Sequence, residues 1–395
     1  MRMRDLSVVA ALAATLAPVA TVSAQTYRVL HIFAGGADGA NPKAGVYLDL
    51  EAGVLYGTTE SGGAKGNGTV FRIEPFGDFY KVIHSFTGLP LGNKGAANDG
   101  AYPTAGLISF RGGLYGTTSR GGVLGYGTVF KISAAGDEKQ LYSFQNLVTD
   151  GSQPNAGLVA DASGNLYGTT IGTAFKLAQD GRFTLLQRFT AAIGDGLYGS
   201  LVFGKDGYLY GTAKASGPRS NGSVFKLPTT GGATVVYDFN GPYGKKPVAN
   251  LITDPQGNLF GTTSEGGLFA NINGGTVFEV TANGSPATLY NFQTTGPNNS
   301  GANTADGKYP LGGLVADAAG NLYGTTEKGG KDDCGIVFKL KPWTSYTILY
   351  TFTGRNFDGC HPKAGLAIDP LGNLYGTTYD GGGPGGKGVM FKISR

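Results

Sequence analysis

Residues that carry most enzyme chemistry are scarce in this sequence. The 395 residues include three histidines, two cysteines and one tryptophan, and only 15% of the chain is charged. Metal centres need several converging His, Cys or carboxylate ligands, and general base catalysis most often uses His. We therefore expect no metal and no cofactor. The scarcity of His also argues against a His-dependent lyase or a Ser-His-Asp hydrolase.

Clusters of basic residues are absent as well. The formal net charge is +4, and the Lys and Arg residues are scattered along the chain without runs. Nucleic-acid and polybasic membrane surfaces need clustered basic residues. The sequence therefore predicts no nucleic-acid partner.

Long apolar stretches are missing except at the N-terminus. Arg2 and Arg4 precede an apolar segment, residues 6–20, and Val22-Ser23-Ala24 fits a small-x-small cleavage pattern. The segment is shorter than the roughly 20 residues that span a bilayer. We predict a signal peptide over 1–24 and a mature, exported domain over 25–395 without a membrane span, in the periplasm or outside the cell. An uncleaved anchor is the alternative.

Helix-favouring runs are also missing, whereas turn and strand formers are abundant. There are 70 Gly, 21 Tyr and 22 Phe, and 41% of the residues are hydrophobic. Glycine interleaved with aromatic and β-branched residues is typical of short strands joined by tight turns. Low net charge and high hydrophobicity argue against disorder. The composition therefore predicts an all-β fold.

Seven internal repeats define the architecture. The most regular segment, Leu-Tyr-Gly-Thr-Thr, recurs about every 53 residues, which is within the range of propeller blades. Its aromatic residues are Tyr56, Tyr115, Tyr167, Tyr210, Phe260, Tyr323 and Tyr375.

Each repeat carries four short strand signals bounded by Gly, Asn or Asp. Both faces of these strands are apolar, which predicts a blade packed between two neighbours rather than a one-sided sheet. The Gly after the repeated Tyr removes a side chain where a ring can lie close. The sequence therefore predicts an all-β, seven-bladed β-propeller of four-stranded antiparallel blades, and a monomer.

The two ends of the chain complement each other. The last repeat stops at Arg395 after three strands, and Val29–Phe33 matches the missing fourth strand. We predict that this N-terminal strand completes the last blade and closes the ring, which removes exposed sheet edges. An open solenoid would need polar capping repeats, and neither end offers one.

The pattern Leu-Tyr-Gly-Thr-Thr, then Gly-Gly, then Gly-Thr-Val-Phe-Lys resembles the GloVer-type, or choice-of-anchor, tandem-repeat family of exported bacterial proteins. The resemblance covers residues 27 to 395. It implies export and a propeller-like fold, and it implies no established activity. Kelch repeats are similar in their Gly-Gly, but the Trp that they carry in each repeat is absent here.

Strand order places the loops between second and third strands on the same face as the connections between blades. Two long connections, 87–104 and 293–312, and one long loop, 268–275, predict a polar rim that binds carbohydrate. Tolerated loop insertion is the alternative. The candidate ligand-binding residues are Asn93, Asn98, Tyr102, Phe269, Asn271, Asn273, Asn298, Asn299 and Tyr309.

An Asp-Gly pair precedes the first strand of most blades. These carboxylates form a candidate ring for a cation or a ligand, and turn formation is the alternative, because Asp bonds its own backbone and Gly supplies positive φ. The candidate ring consists of Asp38, Asp99, Asp150, Asp195, Asp306 and Asp358.

The two cysteines fall on one face and in adjacent blades. We predict a disulfide between Cys334 and Cys360, with free thiols or a metal half-site with His361 as alternatives. His31 and His84 occupy a fourth-strand position that Tyr holds elsewhere, so we expect them to be packing residues. Trp343 lies in a turn on the opposite face, where we expect partial burial rather than a stacking platform.

These features predict an exported, non-catalytic binding or scaffolding module. Its expected partner is an extracellular polysaccharide or an envelope protein. The alternative is a carbohydrate-active enzyme, a glycoside hydrolase or lyase, that uses Asp residues at the channel mouth. A purely structural role is a third possibility.

Overall fold

The computed structural model describes residues 25–88, 99–146, 148–215, 217, 219–268, 273–292 and 306–394. Within these ranges the chain forms seven four-stranded antiparallel sheets, the blades of the predicted β-propeller. A 3-10 turn, Gly36–Asp38, and a two-stranded sheet are the other regular elements. No helix in these ranges is long and apolar enough to cross a bilayer.

The chain begins with the N-terminal strand and then builds its blades in order. Blades 1 to 6 each use four consecutive strands, from the channel outwards. The N-terminal strand is β1 (Thr26–Ile32), and blade 1 consists of β2 (Tyr47–Asp49), β3 (Val54–Thr59), β4 (Thr69–Ile73) and β5 (Tyr80–Ser85). Blade 2 consists of β6 (Ile108–Phe110), β7 (Gly113–Thr118), β8 (Thr128–Ile132) and β9 (Glu138–Ser143). Blade 3 consists of β10 (Val159–Ala160), β11 (Leu166–Thr169), β12 (Thr173–Leu177) and β13 (Phe183–Arg188).

The next three blades repeat the same order. Blade 4 consists of β14 (Val202–Phe203), β15 (Leu209–Ala213), β16 (Ser223–Leu227) and β17 (Thr234–Asp238). Blade 5 consists of β18 (Ile252–Thr253), β19 (Leu259–Thr263), β20 (Thr276–Val280) and β21 (Pro286–Asn291). Blade 6 consists of β22 (Val315–Ala316), β23 (Leu322–Thr326), β24 (Ile336–Lys341) and β25 (Ser345–Thr351).

The final segment contains blade 7 and the small two-stranded sheet. Its strands are β26 (Gly359–Cys360), β27 (Ala367–Ile368), β28 (Leu374–Thr378), β29 (Asp380–Gly381) and β30 (Val389–Ser394).

Strand β1 closes the ring. Blade 7 has the order β1-β30-β28-β27, so the first strand of the chain pairs with the last. The pairing is antiparallel from Thr26 opposite Ser394 to Ile32 opposite Val389, with a register shift between Val29 and His31. The predicted closure is confirmed, and β30 is not left as an open edge.

The glycine of each second strand lies against the ring of a third-strand Phe, as predicted. A Cβ atom built on Gly57 would lie 2.3 Å from Cζ of Phe71, and one built on Gly168 would lie 2.7 Å from Cζ of Phe175. The same clash recurs in every blade. The repeat therefore needs Gly here because the ring fills the space that a side chain would occupy.

We expect Gly168→Ala to destabilise the protein by about 1–3 kcal/mol, because the new methyl group overpacks against Phe175 and Leu158. Gly172, in the same blade, provides the control, since a Cβ there meets no atom within 4 Å. Urea unfolding of both variants measures the difference. Equal stability of the two variants would contradict the packing argument.

Hydrophobic clusters fill the space between blades rather than the centre of the ring. Seven clusters of buried residues each draw on two neighbouring blades. The cluster between blades 7 and 1, for example, combines Leu30 and Phe33 with Leu55, Phe71 and Tyr375. Both faces of each blade are thus covered, which agrees with the apolar pattern of the strands.

A threonine at the end of the second strand links most blades to the next one. Its hydroxyl donates to a backbone carbonyl at the start of the first strand of the neighbouring blade. The links run from Thr58 to Ala105, Thr117 to Ala156, Thr212 to Ala249, Thr262 to Gly312, Thr325 to Ala364 and Thr377 to Ala44. In blade 3 the buried hydroxyl of Thr169 has no hydrogen-bond partner.

Candidate functional site

The loops between second and third strands meet the inter-blade connections on one face, as the strand order predicts. Isolated bridges join Ala40 to Ser61 and Lys308 to Lys328, and in blade 7 strand β26 pairs with β29. We call this surface the connection face, and the opposite one the turn face. The variable loops are therefore gathered around one mouth of the central channel.

The channel mouth on the connection face is a polar cavity of about 110 Å³. All seven blades contribute the start of their first strand to its wall. Small residues prevail because neighbouring strands approach closely: a Cβ built on Gly365 would lie 2.8 Å from the carbonyl oxygen of Gly313. The residues at the rim of the mouth are Lys43, Thr104, Asn155, Tyr198, Val248, Leu311 and Lys363.

A second ring surrounds this rim and consists of residues with left-handed backbone. Each stands one position before a Pro, except in blade 4, where Gly196 precedes Leu197. A positive φ is uncommon outside glycine and costs free energy unless the surroundings hold it. The non-glycine members, with φ between 53° and 57°, are Asn41, Tyr102, Gln153, Lys246, Tyr309 and His361.

Backbone hydrogen bonds hold the ring of left-handed residues. The amide of Tyr102 donates to the carbonyl of Asn67 at 2.8 Å, and its own carbonyl accepts from Ser119 at 3.0 Å. Such a residue joins the loop of the preceding blade to the end of its own second strand, and the same pair of bonds recurs at Asn41, Lys246, Tyr309 and His361. Their side chains are held at defined positions on the connection face, which suits recognition of a ligand.

Paired charges cross the rim between blades 6, 7 and 1. Lys363 Nζ lies 3.6 Å from Oε1 of Glu327 and 3.7 Å from the centroid of the Tyr379 ring, and Lys43 Nζ lies 3.3 Å from Oε1 of Glu60. Burial, followed by the charge and hydrogen bond of Glu60, raises the pKa of Tyr379. Because these charged side chains are paired with one another, the rim is better suited to hydrogen bonding and to stacking on aromatic rings than to acid–base catalysis.

Three of the nine predicted ligand-binding residues lie in the described ranges. Tyr102 and Tyr309 both belong to the ring of left-handed residues, and Tyr102 is 36% exposed. Asn273 accepts from the Gly266 amide at 2.7 Å and donates to Glu265 at 3.1 Å, so it stabilises its own loop. The others, which lie outside the described residues, are Asn93, Asn98, Phe269, Asn271, Asn298 and Asn299.

Four of the candidate Asp carboxylates accept backbone amides just after a fourth strand. Asp38 accepts the amide of Ala34 at 2.7 Å, and Asp358 accepts that of Thr353 at 2.7 Å. The same contact holds for Asp99 and Asp150. These contacts agree with turn formation, because the donors come from the connection that carries each Asp.

Side chains of the fourth strand complete the turns. Tyr142 donates to Asp150 at 2.7 Å and Tyr290 to Asp306 at 2.9 Å, whereas His84 Nε2 lies 2.9 Å from Asp99. His31 makes the same contact with Asp38 at 3.1 Å. The two histidines therefore pack as expected and also bind the Asp, as Tyr does in other blades.

Asp195 does not belong to this set. Its backbone pairs with Ala215, which is the pairing that Ala40 makes with Ser61 in blade 1. In blade 1 the Asp-Gly motif is Asp38-Gly39. In blade 4 the position of Gly39 is occupied by Gly194, so Ile193 stands where blade 1 has its Asp. The Asp-Gly motif of blade 4 is thus shifted by two residues relative to the others.

An aromatic ring from the next blade covers most of the Tyr or His residues that bind an Asp. His31 stacks on Tyr80 with centroids 3.6 Å apart, and Tyr290 stacks on Tyr346 at 3.9 Å. Opposite His84 this position is taken by Glu138, the first residue of β9. Burial, followed by the charge of Asp99, raises the pKa of Glu138 to about 7.

We expect Glu138→Gln to stabilise the protein by about 1–2 kcal/mol at pH 8 and to have little effect at pH 4. The pKa of Glu138 is raised from 4.5 to about 7 on folding, so the folded state binds more protons between these values. Stability therefore falls as pH rises through this window. Thermal unfolding from pH 4 to pH 8 measures the effect.

The exposed Glu51 is the control for this prediction, because Glu51→Gln changes the same group at a solvated position. The stability difference between Glu138→Gln and wild type should grow between pH 4 and pH 8, and that for Glu51→Gln should not. A pH-independent difference for Glu138→Gln would contradict the proposed cost of ionisation.

The turn face repeats a structural unit of its own. Tyr167 donates to Asp161 at 3.0 Å, and Lys176 Nζ lies 5.6 Å from the centroid of the Tyr167 ring. Trp343 lies on this face and is 70% exposed, so the expectation of partial burial is wrong. Its turn lies between β24 and β25 of blade 6.

Exposed tyrosines distinguish the two faces. Among the described residues, the four most exposed tyrosines are Tyr102, Tyr126, Tyr198 and Tyr243, and all lie in connections, loops or strand starts of the connection face. The exposed aromatic residues of the turn face are Phe76, Phe79 and Trp343. Tyr combines a flat apolar ring with a hydroxyl, a combination suited to sugar rings.

The predicted disulfide is confirmed. Cys334 and Cys360 are joined at 2.02 Å across blades 6 and 7. His361 follows directly, and its Nδ1 lies 2.9 Å from Oδ1 of Asp380. Asp380 was not among the sequence candidates, because only the pairing of β26 with β29 brings it to the cysteine.

Comparisons with known proteins support the fold. A sequence profile of the Gloeobacter/Verrucomicrobia repeat matches residues 18–171, 170–307 and 299–395. A search of curated proteins found no sequence relative.

Solved structures with the same fold differ widely in sequence. Virginiamycin B lyase from Staphylococcus aureus aligns with a TM-score of 0.60 at 14% identity, over 94% of this chain and 99% of the lyase. The extracellular domain of a candidate one-component system from B. thetaiotaomicron aligns with a TM-score of 0.57 at 13% identity, over 94% of this chain and 40% of that one. At these identities the likeness shows the fold alone.

Proposed function

Because the chain belongs to the Gloeobacter/Verrucomicrobia repeat family, we propose that it is an exported, non-catalytic propeller whose connection face binds an extracellular polysaccharide. The observation that carries the proposal is that the four most exposed tyrosines of the described residues all lie on the connection face. Tyr198 belongs to the rim of the channel mouth, together with polar residues such as Thr104 and Asn155. Aromatic rings beside hydrogen-bonding groups suit a sugar chain.

Charge pairing supports binding over catalysis. On the connection face Lys43, Lys246 and Lys363 each contact a Glu carboxylate, at 3.3, 2.7 and 3.6 Å. Four of the six Asp carboxylates that an Asp-dependent enzyme could use accept turn amides. A general acid or base must instead reach its substrate. An Asp-dependent glycoside hydrolase or lyase is therefore the less favoured alternative.

A thermal-shift screen of the mature protein, starting at Gln25, tests the proposal. The probes are soluble polysaccharides, both neutral (dextran and xylan) and anionic (alginate and pectin). A ligand present at about 100 times its Kd adds roughly 2.7 kcal/mol of stability, which is a measurable shift. Absence of a shift with every polysaccharide would count against carbohydrate and in favour of an envelope protein. Appearance of new reducing ends or unsaturated products would favour the enzyme.

We expect Tyr198→Ala to weaken binding of the identified polysaccharide at least about tenfold in titration calorimetry, which corresponds to about 1.4 kcal/mol. Tyr198 lies at the channel rim and is 38% exposed, so its removal should not disturb the blade cores. Trp343→Ala on the turn face is the matched control and should bind as wild type. The reverse pattern would place the site on the turn face and contradict the proposal.

A further inference from the structure

Three metal-binding side chains converge where blades 6 and 7 meet on the connection face, and a disulfide joins one of them to a fourth. Ligand atoms of Cys360, His361 and Asp380 all lie within 4.8 Å of one another. Cys334 is bonded to Cys360 at 2.02 Å, so its sulfur lies next to this group of three without being one of its members. No other group of three such residues is found within the described ranges.

The backbone around this cluster is held by three separate contacts. Strand β26 pairs Cys360 with Asp380 in β29. The amide of His361 donates to the carbonyl of Cys334 at 2.9 Å, and its carbonyl accepts the amide of Tyr379 at 3.0 Å. These contacts hold Cα positions on both blades independently of the disulfide, so the ligands should stay together when the disulfide opens.

We propose that reduction of the Cys334–Cys360 disulfide creates a zinc site with Cys334, Cys360, His361 and Asp380 as its four ligands. Two thiolates, one imidazole and one carboxylate are ligand types that Zn²⁺ accepts in tetrahedral sites. In the disulfide-bonded form only His361 and Asp380 remain as donors, so the oxidised protein binds the ion weakly. Oxidation state therefore determines whether the site exists.

The chemistry balances with a phosphine as reductant. The phosphine breaks the S–S bond, takes an oxygen atom from water to become phosphine oxide, and leaves two thiols. Zn²⁺ then displaces one proton from each thiol and binds the two thiolates. In the complex, the ion separates His361 from Asp380, which contact each other at 2.9 Å in the oxidised protein.

The space required is small. Two Zn–S bonds of about 2.3 Å at a tetrahedral angle set the sulfur atoms about 3.7 Å apart, so they must separate by less than 2 Å. Gly354 lies beside them: a Cβ built there would be 3.0 Å from Sγ of Cys334 and 3.8 Å from Sγ of Cys360. The missing side chain leaves room for this movement.

Two thiolates and one carboxylate exceed the charge of the ion by one negative unit. The carboxylate of Glu327, the residue before Lys328, is already paired with Lys363 at 3.6 Å.

Titration of the reduced protein with Zn²⁺ tests this proposal. The mature protein is reduced anaerobically with phosphine in the presence of Zn²⁺, excess metal is removed, and bound zinc is measured with a chromophoric chelator. We expect one equivalent in the reduced protein and none in the oxidised protein. Co²⁺ in place of Zn²⁺ should give the intense visible bands of a tetrahedral site and a thiolate charge-transfer band.

Variants separate the four-ligand site from binding by thiols alone. His361→Gln and Asp380→Asn keep both cysteines and should each lower zinc affinity at least about tenfold. His84→Gln, at a histidine outside the cluster, should retain wild-type affinity. Failure to retain zinc, equal affinity of wild type, His361→Gln and Asp380→Asn, or loss of the near-UV circular dichroism signal on reduction with zinc present would each overturn the proposal.

Discussion

A chain that lacks residues 25–33 is expected not to fold to a stable monomer, because blade 7 would lose its outer strand and the ring would stay open. Strand β1 pairs with β30 along its length. Its loss would expose β30 as an edge strand, and such edges promote aggregation. Expression of the deleted chain, followed by size-exclusion chromatography and circular dichroism, measures the outcome. A soluble monomer with wild-type melting would contradict the role of the strand.

Point variants test the same closure more finely. Phe33 is 2% exposed and packs edge-on against Phe71 of blade 1 with centroids 5.4 Å apart. Phe33→Ala should therefore cost about 3–5 kcal/mol. Ile32→Ala is the neighbouring control, because Ile32 is 36% exposed and loses less contact area. Similar losses for both variants would mean that strand pairing, rather than the buried ring, provides the closure energy.

Removal of the disulfide is expected to have the next largest effect. Replacing both Cys334 and Cys360 with Ser should lower the free energy of unfolding by about 3 kcal/mol, since the bond closes a loop with a sequence separation of 26 residues. Guanidinium unfolding of the oxidised, the reduced and the double-Ser proteins measures the loss. The reduced and double-Ser proteins should agree when zinc is absent. Two alkylatable thiols in untreated native protein would contradict the bond itself.

The architecture could be predicted because each of its causes is local in the sequence. The repeated Tyr-Gly marks the second strand since the Gly admits a ring from its own blade, as at Gly168 and Phe175. The unmatched strand at Val29–Phe33 predicts closure because a blade with three strands leaves an edge. Strand order places both cysteines on one face and in adjacent blades, which predicts the disulfide for an exported protein.

The site could be predicted only in part, because its geometry depends on contacts between blades. The sequence identifies Tyr102 and Tyr309 as aromatic residues in long connections, but it does not reveal directly the ring of left-handed residues to which they belong. A sequence signal for this ring is the repeated Pro, because the left-handed residue stands directly before it, as at Asn41 and His361.

Other differences arise from shifts and exchanges within single repeats. Asp195 was assigned by its Asp-Gly pair, although the turn of blade 4 places Ile193 at that position. Glu138 stands where other blades carry an aromatic ring. Its pKa is raised by burial and then by the charge of Asp99, which binds His84 of the preceding blade. No pattern within one repeat encodes such a meeting.

The seven junctions between blades differ in the contacts that stabilise them, and this difference determines where the ring should open first on heating or under mechanical force. The junction of blades 7 and 1 contains the β1 closure and the link from Thr377 to Ala44, and the disulfide crosses the junction of blades 6 and 7. On the far side of the ring, the junction of blades 3 and 4 lacks the threonine link, because Thr169 has no partner. The ring is therefore reinforced on both sides of blade 7, and its weakest junction is the one between blades 3 and 4. Local thermal opening and forced unfolding should begin at that junction.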